Sequence, residues 1–145
     1  MAGVRRGARA VLKYFIPLYL LAVIIQIFLA GEGIFGADGS PTDDDQSKTL
    51  DPHRALGWIL TEPLALLLLI TALLAWLPNK RDRYLSIALP FILWIQLILP
   101  SAGRWVAAFH PLNAILILGI LGFLARQLWR PQAEAEPEAA PAAVT

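Results

Sequence analysis

Four apolar runs divide the chain, at about 11–30, 55–77, 84–100 and 111–129, and each has the roughly 17–25 residues a helix needs to cross a bilayer. None alternates polar and apolar residues with the period of two that a membrane strand requires. The pattern predicts an all-α membrane protein, an up-down bundle of four transmembrane helices. Its parts are a basic N-terminal segment at 1–10, a transmembrane domain at 11–130 with a loop at 31–52, and a tail at 131–145. The tail is Ala, Glu and Pro without apolar periodicity, a composition expected to be disordered.

Composition agrees. Of 145 residues, 57% are hydrophobic and 16% charged, where a soluble domain carries about a quarter charged. The surplus apolar surface needs lipid as its partner. A net charge of +1 gives no electrostatic case for nucleic acid. The chain has no cysteine, which excludes disulfides, thiolate metal sites, iron–sulfur clusters and covalent haem attachment. The only methionine is Met1, which argues against Met-ligated haem and blue copper.

Basic residues set the expected orientation. Arg5, Arg6, Arg9 and Lys13 precede or open the first run, Lys80, Arg81 and Arg83 separate the second from the third, and Arg126 and Arg130 close the fourth. The other side holds Lys48, Arg54 and Arg104 beside many acids. The positive-inside rule then places both chain ends in the cytoplasm, with Trp58, Trp76, Trp105 and Trp129 near span ends. A signal peptide is the competing reading of the first run, but its apolar stretch is long and Leu29-Ala30-Gly31 is a poor cleavage site. In the outer loop, Asp43, Asp44 and Asp45 lack the ligand spacing of a calcium loop and read as solvated acids.

The halves echo each other. Lys13-Tyr14 precedes Gln26 as Arg83-Tyr84 precedes Gln96, and each following helix opens with a histidine beside a proline: Pro52-His53-Arg-Ala-Leu-Gly57 and His110-Pro111-Leu-Asn-Ala114. Two copies of a helical hairpin, related by an axis along the membrane normal, would give this pattern. So would coincidence among apolar helices, which share many letters.

Polar groups within a membrane are costly, and five require a reason: Gln26, Gln96, His53, His110 and Glu62. The first four converge on the outer end of the bundle, one per helix. Asp51 reads as an N-cap before Pro52, and Pro111 as an early residue of the fourth helix, so both histidines sit near helix N-termini. The dipole there disfavours imidazolium, and neutral imidazole is the metal-binding form. Second and fourth helices lie diagonally in such a bundle, roughly 12–14 Å apart, which suits two imidazoles on one haem iron.

Gly57 and Ala114, four residues past the histidines, leave room on the same face for a macrocycle. Asn113 is placed to hold the second nitrogen of His110 or to join helices. One difficulty opposes a shared iron: counted from the inner span ends, His53 lies about five residues further out than His110, a mismatch of roughly 7 Å. Tilt or a kink at Pro63 must absorb it. The competing reading makes each histidine an ordinary interfacial residue. Glu62, before Pro63, reads as a proton relay or as a protonated acid bonded to a neighbouring helix.

The motifs Gln26-Ile-Phe-Leu-Ala-Gly, His53-Arg-Ala-Leu-Gly and Phe109-His110-Pro-Leu-Asn-Ala resemble the bacterial membrane family catalogued as domain of unknown function number 6220, over about Tyr14 to Arg130. The resemblance implies four membrane helices and supplies no activity. A looser similarity to four-helix b-type cytochromes implies at most one haem, because this chain has two histidines.

Three functions are expected from these residues. The first is a haem b protein ligated by His53 and His110, in electron transfer or redox sensing, with a quinone or another membrane redox protein as partner. The second is an accessory subunit of a larger complex or homo-oligomer without cofactor. The third is a small transporter or proton channel using Glu62. No nucleophile constellation or phosphate loop points to independent catalysis.

Overall fold

The protein is described here from a computed structural model, which covers residues 1–36 and 48–130. The acidic triplet of the loop and the tail after Arg130 lie outside the described residues. The elements are α1 (Ala2–Phe35), α2 (Asp51–Ile59), a π turn (Leu60–Leu64), α3 (Ala65–Ala75), α4 (Lys80–Ile98), a 3-10 turn (Leu99–Ser101), α5 (Arg104–Ala107) and α6 (Phe109–Trp129). They form four spans, Ala2–Phe35, Asp51–Ala75, Lys80–Ser101 and Arg104–Trp129, each long and apolar enough to cross a membrane. The architecture is the expected all-α, four-span bundle.

The spans outrun the apolar runs. α1 takes in the basic segment as well, because Arg and Ala continue a helix at little cost. Most of the stretch between the third and fourth apolar runs is helical: Gly103 turns the chain with a φ of 91°, and α5 and α6 follow. Pro111 still lies in the first turn of α6, where its missing N–H leaves no gap. Asp51 is the first residue of α2 rather than its cap, and its carboxylate pairs with Arg54 at 3.2 Å.

Buried residues recur every three or four positions on each span: Leu12, Ile16, Tyr19 and Val23; Ala65, Leu68, Ala72 and Ala75; Ser86, Leu89 and Leu93; Ile117, Leu121 and Leu124. These are the seams of a bundle with near-parallel axes. Alanines on α3 allow close approach to α1. Each span packs on its sequence neighbours and the first closes on the fourth, so second and fourth face one another across the diagonal. The outward faces carry Leu18, Phe28, Leu66, Phe91 and Ile115, all exposed, which suits a hydrocarbon surround.

At the arginine-rich end, Trp76 ends α3 in the left-handed region at φ 40°, and Arg9 donates to the freed carbonyls of Ala75 at 2.9 Å and Trp76 at 3.1 Å. Asn79 Oδ1 caps α4 by accepting from the N–H of Arg81 at 2.9 Å. Trp129 Nε1 donates to the Lys13 carbonyl at 2.8 Å and ties the last helix to the first.

Pro63 lies in the π turn of the second span. A π turn takes in an extra residue and frees backbone acceptors. Two side chains bond carbonyls beside it: the Tyr19 hydroxyl donates to the Leu60 carbonyl, and Thr61 Oγ1 donates to that of Gly57 at 2.8 Å.

Candidate two-histidine site

The depth mismatch between the histidines is absent in the folded chain. The His53 and His110 ring centroids are 6.4 Å apart, with planes at 73°. Two features close the gap. The second span ends at Ala75, before the Leu77 boundary taken from the apolar run, so fewer residues separate His53 from the arginine-rich end. The π turn then takes up one more residue without lengthening the helix in proportion.

Each ring is held by the preceding span, and in the same way. His53 Nδ1 lies 3.1 Å from the backbone carbonyl oxygen of Gln26, and His110 Nδ1 lies 3.1 Å from that of Gln96. A carbonyl only accepts, so Nδ1 is the donor in both rings. In the neutral tautomer this leaves Nε2 with a free electron pair. The glutamines matched by sequence are thus matched by bonding, through their main chains rather than their amides.

The amides differ. Gln26 Nε2 donates to the His53 carbonyl at 2.7 Å, and its Oε1 is buried with no partner among the described residues. Gln96 Nε2 lies 3.2 Å from His110 Nε2 and donates to that electron pair. Gln96 Oε1 accepts from Asn113 Nδ2 at 2.8 Å, and the same Nδ2 reaches the Ile92 carbonyl at 3.1 Å. Asn113 therefore orients Gln96 and does not touch the second nitrogen of His110 itself.

Gly57 has a definite tenant. A Cβ on it would stand 2.8 Å from Gln26 Nε2, so the space left by its missing side chain is taken by that amide. Glu62, half-buried in the π turn, makes no hydrogen bond or ion pair among the described residues. The structure brings together Gln26, His53, Gly57 and, across the diagonal, Gln96, His110 and Asn113. Sequence reasoning did not foresee Tyr19, which fastens the first span beside the π turn; a lone tyrosine in an apolar seam was the only available signal.

Chemically, both ring Nε2 atoms and the Gln26 Oε1 are electron-pair donors. They suit a metal centre or a hydrogen-bond donor. The carbonyl oxygens of a quinone find no ring N–H free to bond them.

No curated protein and no solved structure matches the chain. The sequence model of one family does, from Gln26 to Gly103. The match includes Gln26, His53, Gly57 and Gln96, and stops before His110 and Asn113. Covering more than half of the chain, it shows that this protein belongs to the family of unknown function DUF6220.

Proposed function

We propose that His53 and His110 would hold the iron of a haem b and that the protein carries electrons, or senses redox state, in the bacterial cytoplasmic membrane. The observation that carries this reading is the pair of rings 6.4 Å apart, each with Nδ1 bonded to a backbone carbonyl, so that the neutral ring carries its electron pair on Nε2. A metal bonded at about 2 Å by Nε2 of two opposed rings sets their centres roughly 6 Å apart. An Nδ1–H bond to a carbonyl is also the usual support for a ligating histidine, because it fixes the tautomer and the ring orientation.

Two nitrogens do not complete the tetrahedral site of a bare zinc ion, but they do complete a haem iron whose other four positions are filled by the macrocycle. The space at Gly57 is filled by Gln26, so a macrocycle would have to part the Gln26 and Gln96 amides and the helix ends that carry them. Bound haem would supply an iron that alternates between ferrous and ferric and so passes one electron at a time. The chain holds the two imidazoles half-buried at one end of an apolar bundle and orients them through the Gln26 and Gln96 carbonyls.

The charge distribution supports an orientation with both chain ends and the Trp76–Lys80 turn in the cytoplasm and the histidines toward the outer face.

Protein purified from cells supplied with haem is expected to be coloured, with a Soret band that is lost in both His53→Ala and His110→Ala. A colourless preparation that binds no added haem would sink the proposal. A functional, colourless protein recovered only with a second membrane protein would instead favour the accessory-subunit reading.

A further inference from the structure

We infer that the two histidines are unequal ligands, His53 open and His110 latched by the Gln96 amide, and that Asn113 is the positioning residue that sets the latch. The inference refines the ligand-pair reading and concerns the order in which an electron-pair acceptor, such as a metal centre, is taken up.

The rings themselves are held alike, both Nδ1 atoms at 3.1 Å from a glutamine carbonyl, and both rings are half-buried. The difference lies at Nε2. On His110 the electron pair is engaged by Gln96 Nε2 at 3.2 Å, whereas no described residue bonds Nε2 of His53. A metal can therefore bond His53 directly, but must displace a hydrogen bond to reach His110.

Two sequence differences between the halves account for this. Counting from the histidines, Leu56 answers Asn113 and Gly57 answers Ala114. Gly57 lets the Gln26 amide lie against its helix and reach the His53 carbonyl at 2.7 Å; a Cβ there would stand 2.8 Å from that nitrogen. Ala114 carries such a Cβ, which closes the corresponding place to Gln96. Asn113 then takes Gln96 Oε1 at 2.8 Å, and the amide N–H groups are left facing His110. Leu56 has no polar group, so Gln26 Oε1 stays unpartnered. A nearly repeated hairpin is thereby made into an asymmetric pair of ligands.

The test needs no metal. Diethyl pyrocarbonate acylates the free electron pair of neutral imidazole, and peptide mass spectrometry reads each histidine separately. In the haem-free full-length protein in detergent, His53 is expected to react roughly fivefold faster than His110, the factor that one hydrogen bond of ordinary net strength represents. Asn113→Leu and Gln96→Leu should each raise the His110 rate to near that of His53, since the Gln96 carbonyl that holds Nδ1 is main chain and remains. Thr71→Val, far along the second span from both rings, should leave the ratio as it is. Equal rates in the unaltered protein would overturn the inference, as would a His110 rate that neither Asn113→Leu nor Gln96→Leu raises. Because the unaltered protein alone gives a decisive ratio, a variant that fails to fold does not remove the test. A colourless protein with unequal rates would refute haem and keep the latch; a protein that takes up haem but reacts at equal rates in its haem-free form would do the reverse.

Discussion

At Gly57 one missing methyl group decides where an amide goes. The Cβ of Gly57→Ala would meet the far end of the Gln26 side chain, which can swing away, so the variant is expected to fold while losing the bond from Gln26 to the His53 carbonyl. That bond contributes about 1 kcal/mol, and thermal unfolding in detergent should show a loss of that order. A variant as stable as the parent would mean that the amide finds an equivalent partner. Tyr19 is a second such residue. Its hydroxyl is buried against the Leu60 carbonyl, and the ring fills the seam that Phe would also fill. Tyr19→Phe therefore isolates one hydrogen bond; the expected cost is about 0.5–1.5 kcal/mol, measured by the same unfolding assay.

At the scale of elements, the π turn is the register device of the second span. An uninterrupted α-helix of the same sequence would turn His53 by about 100° relative to α3 and carry its ring away from His110. Removing the surplus residue should instead leave the ring where it is. Deletion of Glu62 is thus expected to preserve the two-histidine absorbance, whereas insertion of one alanine after Leu64 should abolish it. If the deletion abolishes the band and the insertion does not, the turn is not what sets the register. The same deletion bears on the proton-channel reading, which requires Glu62 and predicts that proton flux into liposomes falls. At the other end of that span, Arg9 holds the carbonyls exposed where α3 stops at Trp76. Arg9→Met keeps much of the stem and loses both bonds. It should cost about 1–2 kcal/mol in unfolding free energy, the lower part of the range for charged hydrogen bonds because the guanidinium is partly wet.

Over the whole molecule, the absence of cysteine makes the orientation simple to test, since any introduced thiol is unique. With the histidine end outside, Ser101→Cys should react with an impermeant maleimide on intact cells, and Gly3→Cys only after the membrane is opened. The opposite pattern would invert the bundle. Both positions are exposed, so packing does not bias the comparison.

Much of this protein was legible in the residues themselves. Hydrophobic length and the lack of a period-two pattern fix four helices, because a bilayer admits few other spanning structures. The polar residues of the histidine end were also legible, since each is an expensive exception in an apolar run. The echo between Gln26 and Gln96 marked the two carbonyls that hold the rings. What the sequence left open depended on depth and on side-chain direction. Whether His53 and His110 meet turns on where α3 ends and on a π turn, which add or remove a few ångströms that no apolar run records. Gly57 looked like room for a ligand and is room for Gln26. Asn113 looked like a partner of His110 and acts on Gln96. These assignments are made by tertiary contact, because an amide can donate or accept in several directions and only its neighbours select one.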